Sequence, residues 1–276
     1  MLDRPTLLDG AMGTALIARG LPRGALPEEW LLSRPDEIAA VHAEHAAAGA
    51  EILLTSTFSC AAPRLDARVD PARIEELCAA AVRLARGAAR RGGLVAGAVG
   101  PTGLHAPGAA TRAELAARYR RPLAALAAAG ADLLWIESQW ALHEALAALE
   151  AARETGLPAV VTFGFPEGPR GFRAPDGAPA EASLAAVAAE GALAAGVNCV
   201  AAGPALTALA AWASAHLHVP FVAKPSPGLP GAVLGPDAFA EAISPAVEAG
   251  LRILGGCCGA GGAHLAALGA LVSRLR

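Results

Sequence analysis

At 276 residues with a formal net charge of −3, the chain is long enough for one large α/β barrel or two small domains. Its 22 basic residues are scattered, which points away from a nucleic-acid surface, and much of its 54% hydrophobic content is alanine, a helix former that adds little apolar area. Five cysteines, an odd number, favour metal or thiol chemistry over a disulfide framework.

The first residues, Met1 to Pro5, lack the charged and apolar blocks of a signal peptide, so a cytoplasmic address is the expectation. Short apolar runs bounded by Gly, Pro or polar turn residues then recur along the chain, as buried parallel strands should. They predict strands over Thr6–Asp9, Glu51–Thr55, Leu94–Val99, Asp132–Glu137, Ala159–Phe163, Val197–Val200, Phe221–Lys224 and Arg252–Leu254. Helical patterns lie between them. Asp70-Pro71 reads as an N-cap followed by proline at the first helical position, and Thr111 and Glu114 have capping-box spacing. The basic group from Arg83 to Arg91 reads as one solvated helix face. An Ala-Gly pair is expected to close four helices, at Ala48-Gly49, Ala129-Gly130, Ala195-Gly196 and Ala249-Gly250.

The bland run from Leu193 to Trp212 contains Gly196, Asn198, Gly203 and Pro204, and fits a strand, a turn and a helix better than a membrane span. Phe165 to Ala180 and Pro225 to Pro236 read as βα loops, and Pro245 is expected to bend or split the penultimate helix. Eight strands alternating with helices predict a single-domain (β/α)8 TIM-type barrel over residues 1–276. A doubly wound open sheet is the alternative, since alternation alone does not establish closure.

In a barrel, chemistry gathers where strands end. Cys199 ends strand six, and Gly255-Gly256-Cys257-Cys258-Gly259 follows strand eight. Three thiolates on that rim can make an open zinc site, with a fourth position for substrate; the glycines permit the sharp turn that lets adjacent cysteines reach one ion. A vicinal disulfide or two buried thiols is the plainer reading of an isolated Cys-Cys. Cys78 lies on an apolar helical stripe with Ile74, Leu77, Ala81 and Ala85 and reads as core, while Cys60 follows the strand-two motif and reads as structural.

Asp9 and Glu137 stand directly after apolar strands, where they are placed to hold a cationic ammonium group or, more blandly, to cap a turn or pair with an arginine. Among seven histidines, His42, His45 and His143 read as helix-face residues, and His105, in a loop, is the one to watch. Phe58, Trp135, Trp140, Phe163 and Phe165 fall near the rim, for the most part as packing. The Gly10 to Gly13 turn lacks the G-x-G-x-x-G fingerprint of a dinucleotide site.

Leu8-Asp9-Gly10-Ala11-Met12-Gly13-Thr14 resembles the opening signature of homocysteine S-methyltransferases. Thr55-Ser56-Thr57-Phe58, Gly100-Pro101-Thr102-Gly103, Ile136-Glu137-Ser138, Val197-Asn198-Cys199, the block from Pro225 to Pro230 and the Gly-Gly-Cys-Cys-Gly run are similar to later blocks of that family, in order. The resemblance implies a (β/α)8 barrel, zinc on Cys199, Cys257 and Cys258, the homocysteine amino group on Asp9 and Glu137, and its carboxylate on the backbone at Gly10 and Ala11. Leu54 and Ser56 stand where the family has Glu and Asn, a departure that bears on the choice of donor and acceptor. Ser226 stands where relatives similar to cobalamin-dependent methionine synthase have asparagine.

The resemblance further implies zinc-dependent methyl transfer to homocysteine, giving methionine, with a sulfonium such as S-methylmethionine as the first-choice donor. Betaine, a corrinoid partner, another small thiol acceptor, or a non-catalytic zinc-holding barrel are the alternatives. Small-molecule substrates are the expected partners, with neither nucleic acid nor membrane.

Overall fold

The computed structural model describes residues 4–104, 109–228 and 233–275, so His105, Leu229 and Pro230 lie outside the described residues. Eight parallel strands form the main sheet: β1 (Thr6–Leu7), β2 (Ile52–Leu54), β3 (Leu94–Val99), β4 (Leu133–Gln139), β5 (Ala159–Phe163), β6 (Ala194–Ala201), β7 (Phe221–Ser226) and β8 (Ile253–Leu254). Hydrogen bonding runs in chain order from β2 to β8 and on to β1. A parallel bridge between Leu8 and Ile52 then joins β1 to β2, which brings the two ends of the sheet together as a barrel.

Each strand is followed by an outer helix: α1 (Pro35–Ala47), α2 (Ile74–Ala88), α3 (Arg112–Ala128), α4 (Leu142–Arg153), α5 (Ala180–Ala189), α6 (Pro204–His216), α7 (Pro236–Glu248) and α8 (Gly262–Ser273). The predicted caps form. Asp70 accepts from Ala72 N at 2.9 Å, and Thr111 and Glu114 exchange backbone–side-chain bonds at 2.7 and 3.3 Å. Gly49, Gly130 and Gly250 close their helices at positive φ.

Two expectations need correction. Ala195-Gly196 lies inside β6, and α5 is closed instead by Gly191 at φ +85°. Gly196 is small for a different reason: a Cβ there would lie 2.0 Å from Val222 O on β7. Nor does Pro245 split α7, which runs uninterrupted from Pro236 to Glu248. The stretch from Phe165 to Ala180 carries a small antiparallel hairpin, Glu167–Gly168 with Gly171–Phe172, before α5 begins.

One apolar cluster fills the space between sheet and helices, and a second fills the barrel interior. The interior is built around Trp135, fully buried among Ala96, Ala98, Leu133 and Ala194. Small side chains on neighbouring strands make room for the indole, which is why an alanine-rich chain can still close a dense barrel. Each large apolar side chain buried in this way contributes about 1.5–3 kcal/mol. Outside, arginines link helices through exposed, solvent-screened pairs such as Arg121–Glu75 and Arg153–Glu190. Among the described residues, no helix is long and apolar enough to cross a membrane.

Candidate metal centre and its pocket

The ends of β6 and β8 carry the three rim cysteines. Along β6 the register against β7 shifts between Asn198 and Ala201, and Cys199 sits in that irregularity at φ +56°. Left-handed backbone at a non-glycine residue is uncommon and turns the side chain out of the strand's alternation. Here it accompanies an exposed Cys199 between buried Asn198 and Val200.

The Gly-Gly-Cys-Cys-Gly segment is threaded between two neighbouring strand ends. Gly256 N donates to Asp9 O at 3.1 Å, and Cys257 N to Pro225 O at 2.8 Å. A Cβ on Gly255 would meet Asp9 O and Leu8 Cβ at 2.7 Å, and one on Gly256 would meet Ala260 Cβ at 2.2 Å. These two glycines therefore serve close packing, and the turn itself belongs to Gly259, at φ +88°. That corrects the expectation that all three glycines make the turn. Thr14, from the opening motif, accepts from Gly259 N at 3.1 Å and ties the loop to the start of the chain.

The result is a group of three sulfurs, Cys199, Cys257 and Cys258, whose Sγ atoms all lie within 4.8 Å of one another. Cys199 and Cys257 have Cα atoms 5.4 Å apart and sulfurs in contact, so the close pair joins two strands and is not the vicinal one. Four sulfurs around a zinc ion stand about 3.8 Å apart when each bond is about 2.3 Å long, so Cys199 and Cys257 would have to draw apart to share one ion, with Cys258 already within reach of both. Asn198 Nδ2 points at the cluster, 3.5 Å from Cys199 Sγ and 4.0 Å from Cys257 Sγ, as a donor toward both sulfurs. The donor set and its orienting amide fit a thiophilic metal.

Below the sulfurs lies a cavity of about 350 Å³, lined by Asp9 to Thr14, Glu28, Leu54 to Ser56, Phe58, Glu137, Lys224 and the three cysteines, among others. All seven site residues expected from sequence meet there: Asp9, Gly10, Ala11, Glu137, Cys199, Cys257 and Cys258. Gly10 is held tight, since a Cβ would come 2.5 Å from Ala260 O and 2.9 Å from His45 Nε2. Ala11 N donates to Ala260 O at 3.1 Å, so that amide is already engaged.

Asp9 is buried and engaged on both oxygens. Its Oδ1 accepts from Lys224 Nζ at 2.5 Å and its Oδ2 from Leu54 N at 2.7 Å. Glu137, by contrast, takes no side-chain hydrogen bond from any described residue. Burial pushes its carboxyl up to about 7, opposed by the positive charge of Lys224 and reinforced by Asp9. Glu28 is fully buried, with Oε1 accepting from Ser59 N at 2.5 Å, and its carboxyl is raised by the same desolvation. Under Asp9 sit His42 and His45, both buried and without partners among the described residues. Desolvation lowers His42 to about 4 and depresses His45 as well.

The remaining motifs are scaffold. Thr55 and Thr57 bond each other and the β3 backbone at Ala98, replacing ladder bonds where β2 ends. Thr102 and Tyr119 converge on Glu144 Oε1. Of the five rim aromatics, only Phe58 lines the cavity: Phe163 and Phe165 stack on each other, Trp135 is interior and Trp140 is exposed. Cys60 and Cys78 are both buried away from the cluster. Sequence reasoning missed Lys224 and Glu28. Glu28 gives no signal in its Pro-Glu-Glu-Trp context, but Lys224 does: of 22 basic residues, 21 are arginine and it is the one lysine.

The family model for homocysteine S-methyltransferase matches residues 6–272. The chain belongs to the homocysteine S-methyltransferase family. It is 31% identical to the homocysteine S-methyltransferase of Escherichia coli over 298 residues, covering 95% of this chain and 93% of that protein. It is 30% identical to the methionine synthase of Mycobacterium tuberculosis over 295 residues, and there it spans 97% of its own length but 24% of the relative's. The crystal structure of the metallated form of the Escherichia coli homocysteine methyltransferase MmuM superposes with a TM-score of 0.80 at 29% identity, covering 97% of this chain and 96% of that one. The chain is thus an enzyme of the homocysteine S-methyltransferase family, built on the barrel its sequence predicts.

Proposed function

We propose that the enzyme transfers a methyl group from a sulfonium donor such as S-methylmethionine to the thiol of homocysteine, giving methionine, with zinc held by Cys199, Cys257 and Cys258. The observation that carries this reading is the sulfur trio at the mouth of a 350 Å³ cavity. Zinc bound there would act as a Lewis acid, keeping the acceptor sulfur deprotonated at a pH where a free thiol, with a pKa of about 8.5, is mostly protonated.

The chain's own residues orient the reactants. Glu137, whose side chain bonds no described residue, accepts the acceptor ammonium. Gly10 lines the pocket beside Asp9, and Asp9 acts through Lys224. Asn198 aims an N–H at Cys199 and Cys257 and steadies their negative charge. In the transfer, a carbon–sulfur bond forms on homocysteine as the sulfonium's methyl–sulfur bond breaks, and the electron pair leaves on the neutral thioether. Three thiolates on a divalent ion sum to about −1, which draws a cationic donor. A sulfonium also carries its methyl on a better leaving group than the quaternary ammonium of betaine. The walls from Met12, Leu26, Leu54 and Phe58 exclude water around the exchange. A reducing, cytoplasmic setting suits three free thiolates.

The test is methionine formation from homocysteine and S-methylmethionine before chelation, after chelation, and after zinc is restored. Turnover should vanish with the metal and return with zinc. Undiminished turnover in the stripped protein would sink the reading.

A further inference from the structure

We propose that Lys224 is a specificity-determining residue that receives the carboxylate of the acceptor thiol, so that the pocket selects thiols by their acid group more than by their amino group. The proposal rests on the acceptor reading above and goes beyond it in naming what the pocket recognises.

The geometry begins with Asp9. The resemblance assigns it to the substrate ammonium, but here an ammonium from the chain itself is bonded to it. Its second oxygen holds Leu54 N. An incoming substrate ammonium would have to share a carboxylate whose charge a buried lysine already offsets, the two side chains being 5% and 4% exposed. Leu54, which lines the cavity beside Asp9, adds an apolar side chain and no charge there. Of the lining carboxylates, Asp9 is paired with Lys224 and Glu28 is engaged by Ser59 N, which leaves Glu137 to serve a cationic head group.

Lys224 is complementary to the other charge. An ammonium has three donors, and one of them goes to Asp9. The residue lines the cavity, so its remaining donors are available there. Its place along β7 is also suitable. Lys224 is in register with Asn198, the residue before Cys199, and Pro225 beside it accepts from Cys257 N. A thiol whose sulfur lies at the cysteine trio would carry its far end toward this layer. Gly10 and Ala11 offer less than the resemblance implies, because Ala11 N is bonded to Ala260 O.

Composition supports the same residue. A chain that carries arginine at 21 of its 22 basic positions has a lysine at this one. A planar, five-donor guanidinium would not fit between Asp9 and the cavity as a compact point charge does.

The experiment measures three thiols against wild type and Lys224→Gln, a variant that keeps an N–H for Asp9. The thiols are homocysteine, 4-mercaptobutyrate (no amino group) and 3-aminopropanethiol (no carboxylate). For wild type, kcat/KM for 4-mercaptobutyrate should lie within about tenfold of homocysteine, and that for 3-aminopropanethiol should be lower by about a hundredfold or more. Lys224→Gln should lose about a hundredfold on both acids and little on the amine. The double variant Asp9→Asn with Lys224→Gln removes both buried charges together and should show the same pattern if the single variant folds poorly.

Equilibrium binding of the same thiols to the zinc-loaded proteins gives the selectivity without any donor. Selective binding without methyl transfer would overturn the proposed activity and leave this inference standing. Methyl transfer with all three thiols equally affected, or none affected, by Lys224→Gln would overturn the inference alone. A folded, zinc-loaded protein that binds no thiol overturns both.

Discussion

Asn198 and Ser138 hydrogen-bond each other twice, linking the two strands that flank β5. Ser138 N donates to Asn198 Oδ1 at 2.9 Å, and Asn198 Nδ2 donates to Ser138 Oγ at 2.6 Å. Ser138, at φ +57°, and Cys199, at φ +56°, are the two non-glycine residues at positive φ among the described residues. One amide side chain thus clamps the irregular end of β4 to that of β6 and also reaches the sulfurs. Left-handed backbone at such positions is strained by roughly 1–3 kcal/mol and persists where the surroundings over-determine it.

Asn198→Ala should therefore release both strand ends. Metal affinity is expected to fall by about 10–100-fold, the usual effect of losing an orienting partner. Asn198→Asp keeps the acceptor for Ser138 N but sets a carboxylate against the sulfurs, so it should protect stability better than affinity. Chelator competition and thermal melting, run on both variants, separate the two effects. Equal metal affinity in wild type and Asn198→Ala would show that the amide does not orient the cluster.

The cysteines divide into two classes with opposite expectations. Cys199→Ser, Cys257→Ser and Cys258→Ser should each weaken metal binding by more than about a hundredfold and abolish methyl transfer, since each removes a soft ligand. Cys60→Ser and Cys78→Ser, whose sulfurs lie in the core, should retain one metal per chain and lose only stability. Elemental analysis of the five purified variants decides it. Loss of metal from the Cys60 variant would place a ligand where the fold puts none.

Glu137 makes acceptor binding pH-dependent. Its carboxyl is raised to about 7, first by burial, so the charged form that holds an ammonium is lost as pH falls below about 7. KM for homocysteine should rise through that window with kcat less affected, and Glu137→Gln should have a high, flat KM. Stability runs the other way. Because the folded pKa exceeds the unfolded value, the folded state is favoured below about 4.5, and that advantage is lost as pH rises through about 7. Glu137→Gln should thus melt higher than wild type at pH 8 and gain little at pH 4.5. A Gln variant that matches wild type in both KM profile and melting would remove Glu137 from the site.

Much of this was legible from the chain because buried parallel strands are apolar runs and the loops between them are punctuated by glycine. Leu94–Val99 and Ala159–Phe163 fall where their patterns put them, and the cysteine rim follows from strand ends. Ala195-Gly196 misled because a helix-closing glycine and a glycine inside a crowded strand look alike before an apolar run; only the approach of Val222 O tells them apart. The Asp9–Lys224 pair was hidden for a related reason. Alternation says that a residue faces inward but not which residue it meets, and here the partners are 215 positions apart. Glycine in the cysteine loop looks like a turn former, but at Gly255 and Gly256 it is a packing requirement set by Leu8, Asp9 and Ala260.

The histidines beneath Asp9 give the fold an acid-sensitive point. His42 is fully buried, neither ring nitrogen has a partner among the described residues, and burial lowers it to about 4. Asp9 opposes that shift and His45 adds to it. The unfolded chain therefore takes up a proton near pH 6.5 that the folded chain refuses until about 4. Stability from this group is present above about 6.5 and drains away as pH falls toward 4, by up to roughly 3 kcal/mol. His42→Leu removes both the titration and two unpartnered polar atoms, at a position that bonds nothing described. Urea unfolding at pH 7.5 and pH 4.5 should show a smaller loss between the two conditions in the variant than in wild type. Identical losses would mean that His42 is hydrated or paired in solution and that acid acts elsewhere in the barrel.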